Sequence, residues 1–182
     1  MRKMIVYEYM TLDGIIEAPE EWQFPYLSDD VAEIIQTQIL DADSILLGRV
    51  TYEIFAASWP TRTNNEFGVA DKLNSMPKFV VSSTLDKVEW NNSKLITANV
   101  LEEITKLKQQ PDGITAIIGS ASLIQSLIQY ELIDEYHLMI HPVILGCGKR
   151  LFPEGINLAL RLVDTNAFSS GVVLLRYQPD KK

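Results

Sequence analysis

The chain reads as an α/β fold with a largely parallel sheet. Short runs of β-branched and aromatic residues alternate with longer stretches of helical periodicity, the pattern expected when helices cover a sheet. One run, Thr115 to Ile118, passes through Gly119-Ser120-Ala121-Ser122 directly into a helical stretch and so forms a strand-turn-helix unit. The last two runs, Leu160 to Ala167 and Val172 to Tyr177, are joined by Phe168-Ser169-Ser170-Gly171, a hairpin signal that predicts an antiparallel end to the sheet.

Taken in order, Lys3 to Met10 is the first strand and Asp13-Gly14 a turn. Ser28-Asp29-Asp30 opens a helix, because Val31, Ile34, Ile35, Gln38 and Ile39 follow at helical spacing. Ser44 to Leu47 is a short buried strand ended by Gly48, and Thr51 to Ala57 is helical, stopping before Pro60. A polar loop through Thr63, Asn64 and Asn65 leads on to a strand from Lys78 to Ser82. Ser93 to Ile96 is a weaker strand, followed by a helix from Val100 to Lys108 and the turn Pro111-Asp112-Gly113. The helix after Gly119 runs from about Leu123 to Tyr130, and Asp134 to Ile140 alternates as a strand does. No repeat or Ser/Gly linker divides the chain, so one domain is expected over residues 1–178, with 179–182 a frayed tail.

The 182 residues are 47% hydrophobic and 22% charged, enough apolar material for a full core. Acids outnumber Lys and Arg by 24 to 16, and a net charge of -8 repels a phosphate backbone, which excludes broad nucleic-acid binding. The N-terminal apolar stretch is broken by Glu8 and too short for a signal peptide, and no run approaches a membrane span. One cysteine, Cys147, forms no internal disulfide, and with two histidines the chain lacks the usual material for a zinc site. His137 and His141 read as structural residues of a strand and Cys147 as a loop residue, so no metal is expected. A reducing, cytoplasmic setting fits this composition.

Three strand ends carry groups suited to an anion. Gly119, Ser120 and Ala121 lead into a helix, so backbone N–H groups and the positive end of the dipole face outward, either as an anion seat or as a packing turn. Leu46-Leu47-Gly48-Arg49-Val50-Thr51-Tyr52-Glu53 has the same layout, with Arg49 either a phosphate clamp or a salt-bridged surface residue and Thr51 either a ligand or a cap. Val80-Val81-Ser82-Ser83-Thr84 is the third. Asp13, Glu17, Asp29, Asp30 and Glu53 are the acids near this face.

These segments, with Thr11-Leu12-Asp13-Gly14 and the stretch from Leu132-Ile133-Asp134 to Gly146-Cys147-Gly148-Lys149-Arg150-Leu151-Phe152, resemble in order and spacing the dihydrofolate reductase superfamily. The likeness is nearer to short bacterial proteins similar to the C-terminal reductase domain of the bifunctional riboflavin-biosynthesis deaminase-reductase. It implies a three-layer α/β/α fold whose eight-stranded, mostly parallel sheet has an antiparallel C-terminal strand, and a homodimer. It also implies that NADPH lies across the strand ends. Gly48, Arg49 and Thr51 would contact cofactor phosphates, Ser82 and Ser83 would lie by the adenosine ribose phosphate, Gly119, Ser120, Ala121 and Ser122 would hold the pyrophosphate, and Asp13-Gly14 would lie near the nicotinamide. The segment Gly146 to Phe152 looks like the loop bordering the substrate pocket or dimer contact in relatives.

The implied activity is hydride transfer to a small heterocyclic or sugar-phosphate substrate, as in 5-amino-6-(5-phosphoribosylamino)uracil reductase. The alternatives are a dihydrofolate or pteridine-type reductase, or a catalytically inactive dinucleotide-binding dimeric module. A reductase of this kind needs a proton donor, and Asp13 is the first candidate, with Glu53 behind it. Trp22, Tyr52 and Trp59 either line the substrate pocket by stacking or belong to the core.

Overall fold

The first apolar run, Lys3–Thr11, becomes β1 and lies inside the sheet in the computed structural model of the chain, which describes residues 1–180. Its buried stretch Met4 to Tyr7 explains the position, since a strand covered on both faces needs apolar side chains on both. The remaining elements follow as α1 (Asp29–Asp41), β2 (Ser44–Gly48), α2 (Arg49–Ser58), α3 (Ala70–Ser75), β3 (Lys78–Val81) and β4 (Ser93–Ile96). The second half comprises α4 (Val100–Lys108), β5 (Ile114–Ile118), α5 (Ala121–Gln129), β6 (Glu135–His141), β7 (Leu160–Ala167) and β8 (Val173–Pro179). The strand order is β4-β3-β2-β5-β1-β6-β8-β7. Pairings are parallel from β4 through to β6, while β8 runs antiparallel to both β6 and β7. The three-layer, mostly parallel architecture is as expected.

The helices divide between the two faces. Ile104 of α4 and Leu123, Ile124, Leu127 and Ile128 of α5 pack on Met4, Val6, Leu46 and Ile117. On the other face Ile39 of α1, Tyr52 of α2 and Leu73 of α3 pack on Ile5, Tyr7, Ile45, Leu47 and Val80, and Val31 of α1 packs on Met139 and Leu174. Neighbouring strands β1 and β5 therefore send their following helices, α1 and α5, to opposite faces. A crevice is left at their carboxyl ends, the place where open α/β sheets bind ligands.

Several boundaries differ from expectation for local reasons. Helices α2 and α5 each begin two residues early, at Arg49 and Ala121, with Gly48 and Ser120 as their extended N-cap residues. Helix α3 was not legible, because six residues are too few to show a period. It is held by fully buried Lys78, whose ammonium donates to the carbonyls of Leu73 (2.7 Å) and Met76 (2.8 Å) and lies 4.3 Å from the Trp90 ring centroid. The tail expected to fray from 179 is ordered at its start: Pro179 pairs with Leu160, and the Asp180 N–H donates to Ala159 O at 2.9 Å. Residues 181 and 182 lie outside the described residues. Among the described residues no helix is long and apolar enough to cross a membrane.

Candidate active site at the strand ends

The turns leaving β2 and β5 are locked together. The Gly48 N–H donates to Gly119 O at 3.2 Å. A Cβ on Gly48 would lie closer than 3.0 Å to Ser120 Oγ, and one on Gly119 closer than 3.0 Å to Thr51 Oγ1. Gly119 also holds a positive φ of 50°, and the Gly119–Ser120 peptide is cis. Only glycine permits this approach, and the approach sets the N-termini of α2 and α5 side by side. Thr51, Ser120 and Ser122 add hydroxyls, with Ser120 Oγ 3.1 Å from Ser122 Oγ. First-turn N–H groups have no partner within their own helix, so the paired turns form a cradle for negative charge.

Two donors expected to serve an anion are already engaged. The Gly119 N–H does not face outward but donates to Glu8 Oε1 at 2.6 Å. Arg49 NH1 lies 2.8 Å from Glu53 Oε2, with the two side chains 44% and 46% exposed. Glu53 is thus the i+4 partner of Arg49 on the helix surface. Ser82 is buried and its Oγ accepts from the Thr84 and Leu85 N–H groups, both at 3.1 Å, holding its own turn, while Ser83 is exposed.

At the end of β1, Gly14 closes a turn by donating to Thr11 O at 3.0 Å. Asp13 accepts from Thr11 Oγ1 (2.6 Å), Gly146 N–H (2.8 Å) and Leu145 N–H (3.3 Å). The Thr11 hydroxyl, then the Gly146 N–H, hold its carboxyl below the usual carboxylate range. An acid so placed is kept ionised, and its geometry is that of an anchor for the loop after β6 more than of a proton donor. Arg150 completes the anchor by donating to Asp13 O at 2.7 Å, and the Lys149 N–H donates to Glu17 at 3.2 Å. Asp30 is committed elsewhere: its carboxylate accepts from Ser28, from Val31 N–H and from Ser169 N–H (2.9 Å) at the hairpin tip, which lowers its pKa to about 2.

The three aromatic residues separate. Trp22 is buried near the end of β6, edge-on to His141 at 5.1 Å, with its indole N–H on Glu17 O at 3.0 Å. Tyr9 and Tyr26 also meet His141 edge-on, at 5.9 and 6.1 Å. Tyr52 belongs to the core, where its hydroxyl accepts from Glu89 N–H (2.9 Å) and Trp90 N–H (3.1 Å). That placement corrects the pocket expectation for Tyr52. Trp59 follows the last residue of α2, about 15 Å along the axis from the strand ends. It packs there against Phe55, Phe67 and the Arg62 guanidinium, so it too is corrected. His137 pairs with Glu135 at 3.1 Å and His141 Nδ1 lies 3.0 Å from Met139 O, in keeping with structural roles. Cys147 is exposed in its loop.

Glu8 was missed, although a signal was present: period-2 alternation sets it with Met4 and Val6 on a core-facing side of β1. Burial pushes its pKa up to about 8 against the opposing pull of the Gly119 N–H.

Known proteins give this arrangement its family. Residues 2–174 match the family described as the RibD C-terminal domain. The chain is 36% identical to the uncharacterized protein YyaP of Bacillus subtilis (strain 168), over 97% of this chain and 94% of that protein. Among solved structures, a putative riboflavin biosynthesis protein from Shewanella sp. PV-4 superposes with a TM-score of 0.75 at 20% identity, covering 98% of this chain and 99% of the other. Dihydrofolate reductase from Enterococcus faecalis, complexed with NADP(H), gives 0.66 at 16% identity, covering 98% and 97%. The fold is therefore dihydrofolate reductase-like, and the chain, matched along nearly its whole length, belongs to the RibD C-terminal domain family.

Proposed function

We propose that the protein is an NADPH-dependent reductase acting on a small heterocyclic or sugar-phosphate substrate, similar to 5-amino-6-(5-phosphoribosylamino)uracil reductase. The observation that carries this reading is the cradle in which Gly48 and Gly119 bring two helix N-termini together at adjacent strand ends. The family match, a pyrimidine reductase-like protein from Corynebacterium diphtheriae among the neighbours (TM-score 0.71, 14% identity, covering 99% of this chain and 92% of that one), and the NADP(H) complex of the reductase neighbour support it. Ser120, Ala121 and Ser122 would hold the pyrophosphate, with Gly48 and Thr51 beside it. Arg49 would turn from Glu53 to a cofactor phosphate, Ser83 would lie by the ribose phosphate, and Gly14 would lie near the nicotinamide. NADPH supplies the hydride when bound. The protein's own part is to orient the acceptor beside Trp22 and Tyr9 and to exclude water from that side. We place it in the cytoplasm as a homodimer.

A second reading, a dinucleotide-binding module without turnover, is favoured by one observation: Asp13 and Glu53, the acids first expected to donate a proton, both hold structural partners. Calorimetric titration of NADPH and NADH into wild type and Arg49→Ala tests the cofactor. NADPH binding weakened by the substitution is expected, and no binding of either nucleotide would overturn both readings. Substrate-dependent NADPH oxidation over a panel of aminopyrimidines and their ribosyl phosphates then separates enzyme from module.

A further inference from the structure

Glu8 stands in the crevice between β1 and β5, and its hydrogen-bond partner is the cradle itself. It lies opposite Leu138 of β6 in the sheet register. That face is apolar, with Val6, Leu123, Ile124, Leu138 and Leu151 in one cluster. No residue of β5 or α5 carries a charge. The histidines of β6, at odd positions, alternate to the opposite face. Of the remaining groups, Arg49 and Glu53 on α2 pair with each other, Arg150 is taken by the Asp13 carbonyl, and Asp13 by its own donors. Tyr9, next on β1, has its phenol pushed up by burial and by the Glu8 charge. No cation thus emerges to balance a Glu8 carboxylate among the described residues of these elements.

A phosphate held by the N–H groups of Ser120, Ala121 and Ser122 sits within a turn of helix from Gly119, and hence close to Glu8. Two negative charges sharing a poorly hydrated crevice repel, and the carboxyl relieves the repulsion by taking a proton. We propose that Glu8 binds a proton when the cradle takes up a phosphate-bearing dinucleotide, so that binding and protonation are one linked step. This rests on the cofactor reading above and adds to it a proton stored beside the site.

Unliganded Glu8, with its pKa at about 8, is mostly ionised at slightly higher pH, which is where the uptake is measurable. NADPH is titrated by calorimetry at about pH 8.5 in Tris and in EPPS, whose ionisation enthalpies differ, into wild type and Glu8→Gln. Wild type is expected to take up roughly half a proton more than the variant. Its affinity is expected to fall about tenfold between about pH 7 and pH 9.5, with less than about a twofold change in Glu8→Gln. Equal proton counts with NADPH still binding would overturn this inference alone, whereas no NADPH binding to wild type would overturn the cofactor reading with it. Because the variant could be structurally perturbed, the Glu8 carboxyl carbon is also titrated by NMR in the unliganded wild type. A midpoint near pH 8 is expected, and titration in the ordinary carboxylate range would overturn the proposal.

Discussion

The two halves of the carboxyl edge use their backbone donors in opposite ways. At β1 and β6 the donors are turned inward: Asp13 takes Leu145 and Gly146, Glu17 takes Lys149, and Ile15 bridges Arg150. At β2 and β5 two turns are pressed together, yet the first-turn N–H groups of α2 and α5 find no partner within their own helices. The acids follow the same division. Asp13 is held ionised by hydrogen bonds, while Glu8 is pushed toward neutrality by burial. A strand end that satisfies itself is a scaffold, and one that leaves aligned donors open is where an anion gains most.

The largest test of this contrast is steric. Gly119→Val places side-chain carbons against Thr51 at a positive φ, so the cradle must open. Overpacking at such a site costs about 1–3 kcal/mol, read as a lower urea midpoint, and NADPH binding should be lost by calorimetry. Retained binding in a folded Gly119→Val protein would break the assignment of the cradle. A substitution in the self-satisfied half, such as Cys147→Ser in its exposed loop, should change neither quantity.

The next effect is electrostatic and has two signs. Arg49→Ala should weaken NADPH binding about tenfold, the worth of one charge-assisted hydrogen bond to phosphate. Glu53→Gln frees Arg49 from its exposed partner and should tighten binding by about twofold to fivefold, because a surface pair of this kind is worth little and is easily exchanged. Both effects should shrink as salt is raised. If Glu53→Gln weakens binding instead, Glu53 touches the ligand and the catalytic expectation for it returns.

What was legible in the sequence follows from the same physics. Helix α4 was readable to the residue from its helical period, and strands β4 and β7 from the turn and helix signals that bound them. The glycine and hydroxyl turns were readable as motifs, since Gly48 and Gly119 are demanded by close approach to the Ser120 and Thr51 side chains. What was not legible depends on which neighbours meet. Nothing local says that the Tyr52 hydroxyl will be used by Glu89 and Trp90, or that α2 will carry Trp59 away from the strand ends. Glu8 was passed over because a charge in an apolar run reads as an interruption, when its face on the strand marked it as a partly buried acid.

The smallest expected effect sharpens the contrast between the two acids. As the folded pKa of Asp13 is depressed, its hold on the loop is complete above the ordinary carboxylate range and is lost as pH falls through that lower folded value. The backbone amide signals of Leu145 and Gly146 in wild type should therefore stay unchanged from neutral pH down through the ordinary range, and move only below it. Asp13→Asn, which keeps one acceptor and loses the charge, should move the same two signals at neutral pH. It should leave NADPH affinity within about twofold, since the neighbouring donors it releases belong to the scaffold half. Were Asp13 a proton donor in turnover, its carboxyl would titrate in or above the ordinary range, and the asparagine variant would lose reductase activity with its loop intact. The two amide signals and the rate therefore assign Asp13 to the scaffold or to the chemistry independently of Glu8.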